Sequence, residues 1–241
     1  MHPSKGEEAK KEKPIEWIGS SEKELSSVPE GVQSKAGNLL RDVGFGFKPD
    51  KAKPLKGFGS ASVQEIIVDH DTNTYRVVYT ICAKRIYVLH VFQKKSKSGS
   101  ATPKKDLDLI KKRLKQAKET ENNRKDLKMS QYPDHEPVEH GTNNIFADLG
   151  LPNPEELLEK SNLSLPIMRI IRKRKLSRLK VSKVLGISLA ETSELMEGGI
   201  DDFSMEQLDL FLHRLSEDDA PPAKKQSRAY PYKEAHPRGH V

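Results

Sequence analysis

Residues 87–99 read YVLHVFQKKSKSG. An imidazole, His90, and an aromatic ring, Phe92, sit at the end of an apolar run. The chain then enters the cations Lys94, Lys95 and Lys97. Clustered lysines neutralise phosphate and release its counterions, so one reading is a site for a phosphate backbone. The other is a core strand ending in a solvated loop. Alternation puts Ile86, Val88, His90 and Phe92 on one face, with Tyr87, Leu89, Val91 and Gln93 on the other. Arg76 shares a face with Thr74, Val78 and Thr80. Both Arg76 and His90 occupy strand positions where burial is costly unless they are paired.

A second cluster of charge lies downstream. Arg169, Arg172, Lys173, Arg174, Lys175, Arg178, Lys180 and Lys183 fall in fifteen residues with no acid among them. They run into LSRLKVSKVLGISLAETSELMEG, which has the spacing of a helix-turn-helix. Leu179, Val184 and Leu185 are expected to face the core, with Gly186 in the tight turn. Ile187 plugs the gap and Leu195 anchors the second helix. In such a motif the second helix enters the major groove while the first crosses the backbone. Ser188, Thr192 and Ser193 are its evident donors, whereas Glu191 and Glu194 repel phosphate. General DNA affinity is therefore better supported than base reading. The bland alternative is a helical hairpin with a solvated basic face.

The elements that must position these residues follow from period and punctuation. VQEIIVDH, TYRVVYTI and RIYVLHVF alternate with period two and are rich in Val, Ile and Tyr, so three strands are expected. The short connections DHDTNT and CAKR make them antiparallel neighbours. Upstream, Val32, Ala36, Leu39, Leu40 and Val43 recur at helical spacing, after Pro29 and before Gly44. Downstream, TPKKDLDLIKKRLKQAKE predicts an amphipathic helix with Leu107, Ile110 and Leu114 on its apolar side. Residues 1–14 read as disordered, 119–140 as a linker and 217–241 as a disordered tail. The fold class is thus an α+β domain over 15–118, with helices on a small antiparallel sheet, joined to an all-α helix-turn-helix domain over 141–216. Met129 followed by Ser resembles a start site left inside the chain, as if two coding units had been joined.

Composition narrows the function. Residues 1–128 hold 27 Lys and Arg against 17 Asp and Glu, whereas 129–241 hold 15 against 18. A basic unit tied to a mildly acidic one suggests two modules that attract each other. Cys82 is the only cysteine, so neither a disulfide nor a thiolate zinc site forms within one chain. No run of ~18 apolar residues marks a membrane span, and the charged N-terminus reads as no secretory signal. A reducing cytoplasm is the expected compartment. No Gly-rich phosphate loop, zinc spacing or Ser/His/Asp constellation is present, so neither cofactor nor metal is expected.

Two resemblances sharpen this reading. PLKGFG, VQEI, YRVVY, LHVFQKKSKSGSATPKKDLDLI and their spacing over about 14–118 resemble the RelE/ParE superfamily, most closely its phage-derived HigB-like toxins. NNIFADLGLPNPEELLEKSNL, the helix-turn-helix and FSMEQLDLFLHRL, over about 140–215, are similar to HigA-type antitoxins of the λ-repressor-like XRE class. The chain departs from that pattern at Arg178 and Ser182, where the family carries Gln and Ala.

The first resemblance implies metal-independent mRNA cleavage at the ribosome; some superfamily members instead poison DNA gyrase. Cleavage by the RNA's own 2′-OH needs a base, a proton for the leaving oxygen and positive charge on the phosphorane. On that reading Lys56, Arg76, Lys94 and Lys95 supply charge and His90 is the acid or base. Phe92 stacks on a base, and Lys53, Lys84 and Lys97 bind RNA. The second resemblance implies operator DNA contacted by Arg174, Lys175, Arg178, Lys180, Ser188, Thr192 and Ser193. It also implies neutralisation of the toxin within or between chains, and a homodimer through the helical domain. An expectation of another class stays open: a DNA-binding regulator whose toxin-like module has lost activity.

Overall fold

The computed structural model describes residues 11–59, 63–94, 102–126 and 136–217. Lys95 and Lys97, Met129, most of the N-terminal stretch and the tail from 218 onward lie outside the described residues.

The three alternating segments form β3 (Val63–His70), β4 (Asn73–Cys82) and β5 (Arg85–Lys94), each antiparallel to the next. Both hairpin turns place a residue in the left-handed region, Asp71 at φ 51° and Ala83 at φ 48°. That geometry matches the twist of the flanking strands. The sheet has six strands rather than three, in the order β2-β3-β4-β5-β1-β6. β2 (Ala52–Pro54) extends one edge. β1 (Ile15–Ile18) runs parallel to β5, and β6 (Val138–His140) runs antiparallel beyond β1. β1 is buried at every position, so its IEWI run offers no alternation to read. β6 falls inside the stretch expected to be a linker. Residues 13 and 14, expected to be disordered, are tied down: Lys13 N donates to Gly44 O at 3.1 Å and Pro14 O accepts from Ile86 N at 3.0 Å.

Helix α1 (Ser21–Ser26) and helix α2 (Glu30–Gly44) precede the hairpins. α2 lays Val32, Ala36, Leu39, Leu40 and Val43 into a core with Ile66, Val68, Tyr75, Val77, Tyr79, Ile86 and Val88 from one sheet face. On the opposite face, α3 (Lys104–Asp126) buries Ile110 and Ala117 against Val63, Val78, Tyr87 and Leu89. α3 therefore continues eight residues beyond the expected boundary at 118.

One irregularity reorders β5. Val78 pairs with His90, but Tyr79 pairs with Val88, so Leu89 is an extra residue in a bulge. Strict alternation fails there. Ile86 and Val88 face α2, and so does Val91. His90 and Phe92 turn to the α3 face with Tyr87 and Leu89. The expected grouping of Ile86 and Val88 with His90 is thereby corrected.

The helical region contains α4 (Ile145–Asp148), α5 (Pro154–Lys173), α6 (Arg178–Leu185), α7 (Leu189–Met196) and α8 (Met205–Glu217). Ile167, Ile171, Val181, Leu185, Leu195, Phe203, Leu208 and Phe211 form its core. Leu179, expected in that core, is 55 % exposed; Val181 takes the buried place on α6. The expected fold class is the one observed, an α+β region joined to a helical helix-turn-helix region. The two share a core, however: Ile145, Phe146, Leu149, Leu151 and Ile200 pack with α2 and the sheet.

The second side of α2 is polar and also buried. Asn38 accepts from Ser161 Oγ at 2.6 Å and Ser164 Oγ at 3.2 Å, and donates to Gly198 O at 3.1 Å. Lys35 pairs with Glu194 at 2.7 Å, Asp42 with Arg172 at 2.7 Å, and Ser34 with Asp201. Gly198 has φ +94°, and a Cβ there would lie 2.8 Å from Leu39 Cγ. Gly198→Ala combines backbone strain with a clash at this junction. It is expected to lower unfolding free energy by about 2–4 kcal/mol in urea titration, while Gly150→Ala, whose Cβ meets nothing, carries the backbone strain alone, about 1–2 kcal/mol.

Candidate functional site

The α3 face of the sheet carries rows of side chains set by strand register. Lys53 lies opposite Glu65, Glu65 opposite Val78 and Val78 opposite His90. The next row pairs Ile67, Arg76 and Phe92, and the last pairs Asp69, Thr74 and Lys94. Opposed residues project to the same side, so Lys53, Arg76, His90, Phe92 and Lys94 share one surface.

His90 is held by a carboxylate. Its Nδ1 lies 2.7 Å from Glu24 Oε2, on α1. Glu24 also accepts from Val91 N at 2.8 Å, Ser20 Oγ at 2.7 Å and Arg113 Nη1 at 3.0 Å. Burial raises the Glu24 pKa, but hydrogen bonds from His90, Ser20 and the Val91 amide outweigh it and hold the group at about 2. The ionised carboxylate has only acceptors, so Nδ1 carries the proton. The remaining ring nitrogen is Nε2. It is buried, has no hydrogen-bond partner among the described residues, and lies 3.7 Å from Asp106 Oδ1 at the start of α3. Phe92 stacks on the imidazole, with centroids 5.2 Å apart and planes at 26°.

Arg113 anchors this arrangement from α3. Its guanidinium is 3 % exposed and bonds Glu24, Ser20, Leu89 O at 2.8 Å and Glu136 at 3.0 Å. Sequence reasoning missed Glu24, Asp106 and Arg113. For Arg113 a signal existed: it sits between Ile110 and Ala117 on the buried side of an amphipathic helix, where a cation requires an acid partner. Nothing local marks Glu24 among the many acids of the chain.

The structure does not gather all the expected cations. Arg76 pairs with Glu65 at 2.9 Å and reaches Thr102 Oγ1 at 3.4 Å; its Nε is buried and has no hydrogen-bond partner among the described residues. Lys53 lies 3.7 Å from the other Glu65 oxygen and is half exposed. Lys94 is half-buried at the strand end, and Lys56 is exposed in the turn after β2. Lys84 sits in the opposite hairpin, ten residues from Lys94 along β5, or about 30 Å. It does not join the group. Lys95 and Lys97 lie outside the described residues.

In the helix-turn-helix, several expected DNA donors hold the fold instead. Ser188 caps α7: its hydroxyl accepts from Glu191 N at 3.1 Å, while the Glu191 carboxylate accepts from Ser188 N at 2.8 Å. Thr192 is fully buried and donates to Ser188 O at 2.8 Å. Ser193 accepts from Arg178, whose guanidinium also pairs with Glu197 at 3.2 Å. Arg174 donates to Leu215 O at the end of α8. Lys175 and Lys180 are exposed. Ser182 binds the turn, donating to Ile187 O at 2.6 Å. The exposed start of α7 is apolar, with Leu189 53 % accessible. Glu194, near its end, is turned into the α2 contact.

The helical region rests on α2, on the sheet face opposite His90 and Arg76. It does not cover them among the described residues.

Residues 23–115 match the family described as phage derived protein Gp49-like, and residues 145–218 match a helix-turn-helix domain. No match was found among curated proteins or solved structures. A toxin-like Gp49 domain is thus followed, in one chain, by a helix-turn-helix domain. No described helix is long and apolar enough to cross a membrane.

The Glu24 carboxyl sits below its ordinary value of 4.5, so it favours the folded state above pH 4.5 and loses that contribution as pH falls towards 2. Solvent reaches part of the group, which trims the contribution to about 1–2 kcal/mol. Glu24→Gln is expected to remove that much stability at pH 7 and to flatten the acid limb between pH 4.5 and 2, read by urea titration at stepped pH.

Proposed function

We propose that this chain is a toxin–antitoxin fusion in which the Gp49-like module cleaves mRNA on the ribosome and the helix-turn-helix module restrains it and binds operator DNA. The observation that carries this reading is the Glu24–His90 pair. A carboxylate-held imidazole has an Nε2 with no hydrogen-bond partner among the described residues, with Phe92 stacked on the ring and Arg76 opposite Phe92 in the adjacent row. Nε2 would take the 2′-OH proton or return one to the leaving 5′-oxygen, and Arg76 with Lys94 and Lys53 would oppose phosphorane charge. Phe92 would present a ring to an unstacked base.

Restraint on this reading works at a distance. The helical region contacts α2 behind the sheet, so it would hinder entry into the ribosome by bulk rather than by lying over His90. Two copies paired through the helical region would present two α7 helices to half-sites about 34 Å apart. The second reading, a DNA-binding regulator with an idle toxin-like module, is favoured by the neutralisation of Arg76 by Glu65 and by the burial of His90 beneath α3.

Truncation would confuse the test, because cutting near residue 128 strips Phe146 and its neighbours from the shared core, about 2 kcal/mol for each buried side chain. Charge reversal of Lys35 and Arg172 instead loosens the α2 contact in the full chain. Slow mRNA cleavage on programmed ribosomes should rise at least about tenfold in that variant. Adding His90→Ala or Arg76→Ala should lower it by about a hundredfold or more. Cleavage unchanged by both substitutions would sink the assignment. No cleavage in any variant, with DNA binding intact, selects the regulator, and loss of supercoiling in a gyrase assay selects that target instead.

DNA binding is expected to follow phosphate contacts from the exposed lysines. Lys175→Ala and Lys180→Ala should each reduce the slope of log affinity against log salt by about one. Ser188→Ala should act through helix stability, costing about 1 kcal/mol, with little change in that slope.

A further inference from the structure

At the end of the sheet remote from His90 lies a cavity of about 830 Å³. Its walls come from four parts of the chain: residues 11–15, the end of α2, the turn into β5, and residues 142–145. The volume suits one small ligand. Lys11, Lys13 and Lys84 line it and have no acid partner among the described residues. The charges that could cancel them are engaged elsewhere. Glu12 turns to Arg41, with contacts of 3.1 and 3.2 Å. Glu16 is taken by Arg85, itself a lining residue, at 2.9 Å. The carbonyls ending α2 are also taken, Gly44 O by Lys13 N and Val43 O by Gly46 N. The rest of the lining includes the half-buried Phe45, the edges of the core residues Ile15 and Ile145, and the exposed Thr142 and Asn143.

We propose that this cavity is a nucleotide-binding site, in which the three lysines hold the phosphate and the Phe45–Ile145 wall with Asn143 receives the base. Cations with no acid partner among the described residues, sharing one concave lining with Phe45, Ile15 and Ile145, select a ligand that is anionic in one part and flat and apolar in another. A bare phosphate would leave the apolar wall empty; a nucleoside would leave the lysines unpaired. The site also gives Lys84 a role compatible with its distance from Arg76 and His90. It is independent of RNA cleavage. Since the walls belong to both matched regions and the segment before them, an occupant would tie those segments together and raise the melting temperature by mass action.

The test uses the full chain, titrated with the four nucleoside monophosphates, inorganic phosphate and adenosine, by calorimetry and thermal melting. The sole tryptophan, Trp17, is buried two residues from the cavity wall at Ile15 and gives an optical reporter. At least one nucleotide should bind saturably, about tenfold or more tighter than phosphate or adenosine. Lys13→Glu with Lys84→Glu should weaken it by about tenfold or more while leaving the unliganded melting temperature nearly unchanged, because both side chains border solvent. Asn143→Ala should alter the ranking among bases without altering phosphate binding. Equal affinity for phosphate and nucleotide, binding indifferent to the charge reversals, binding by oligonucleotides alone, or no saturation by about 10 mM would each overturn the proposal.

Discussion

The structure depends on α2 being buried from two sides. Twelve of its fifteen residues are buried, including Gln33, Ser34, Asn38, Arg41 and Asp42. Its apolar stripe covers the sheet, as any amphipathic helix would. Its polar stripe meets α5, Gly198 and the end of α7, and there each buried group needs a partner. Asn38 finds three, Asp42 finds Arg172, and Gln33 closes the end of α1 by donating to Ser26 O and Val28 O. Such contacts add little net stability, but breaking one strands a buried polar atom. They specify how the helical region sits on the α+β region. Apolar contact through Phe146 and Leu39 alone would do so less sharply.

That constraint has a consequence for the candidate site. With α2 committed to the helical region, the other sheet face belongs to α1's Glu24 and to α3. Arg113 crosses from α3 to bind Glu24, Ser20 and the Leu89 carbonyl, and Glu24 in turn orients His90. The bulge at Leu89 is what brings His90 to this face. Without the extra residue the imidazole would point into the apolar core under α2. The geometry of the imidazole therefore rests on a backbone irregularity and one buried arginine.

The helix-turn-helix shows a similar division of labour. Its small polar residues stabilise their own turn and helix start, leaving Lys175 and Lys180 to the surface. Positive charge on an exposed surface attracts any DNA; base reading requires side chains that are not already satisfied. Ser188 and Thr192 are satisfied internally.

Much of the architecture was legible in the sequence. Period-two runs announced β3 to β5, helical spacing announced α2 and α3, and the Gly186 turn announced α6 and α7. These signals are local, because side-chain periodicity follows directly from backbone geometry. Strands β1, β2 and β6 were not legible: each is three or four residues long and owes its conformation to a neighbour distant in sequence. Residue types in YVLHVFQKK announced positive charge, an imidazole and a ring, and chain order alone determined that they lie close together. Which face His90 occupies, which acid holds it, and that Arg76 is matched by Glu65 were decided only by the tertiary structure. The physical reason is that desolvation makes every buried charge choose a partner, and the partner comes from wherever the folded chain brings one within about 3 Å.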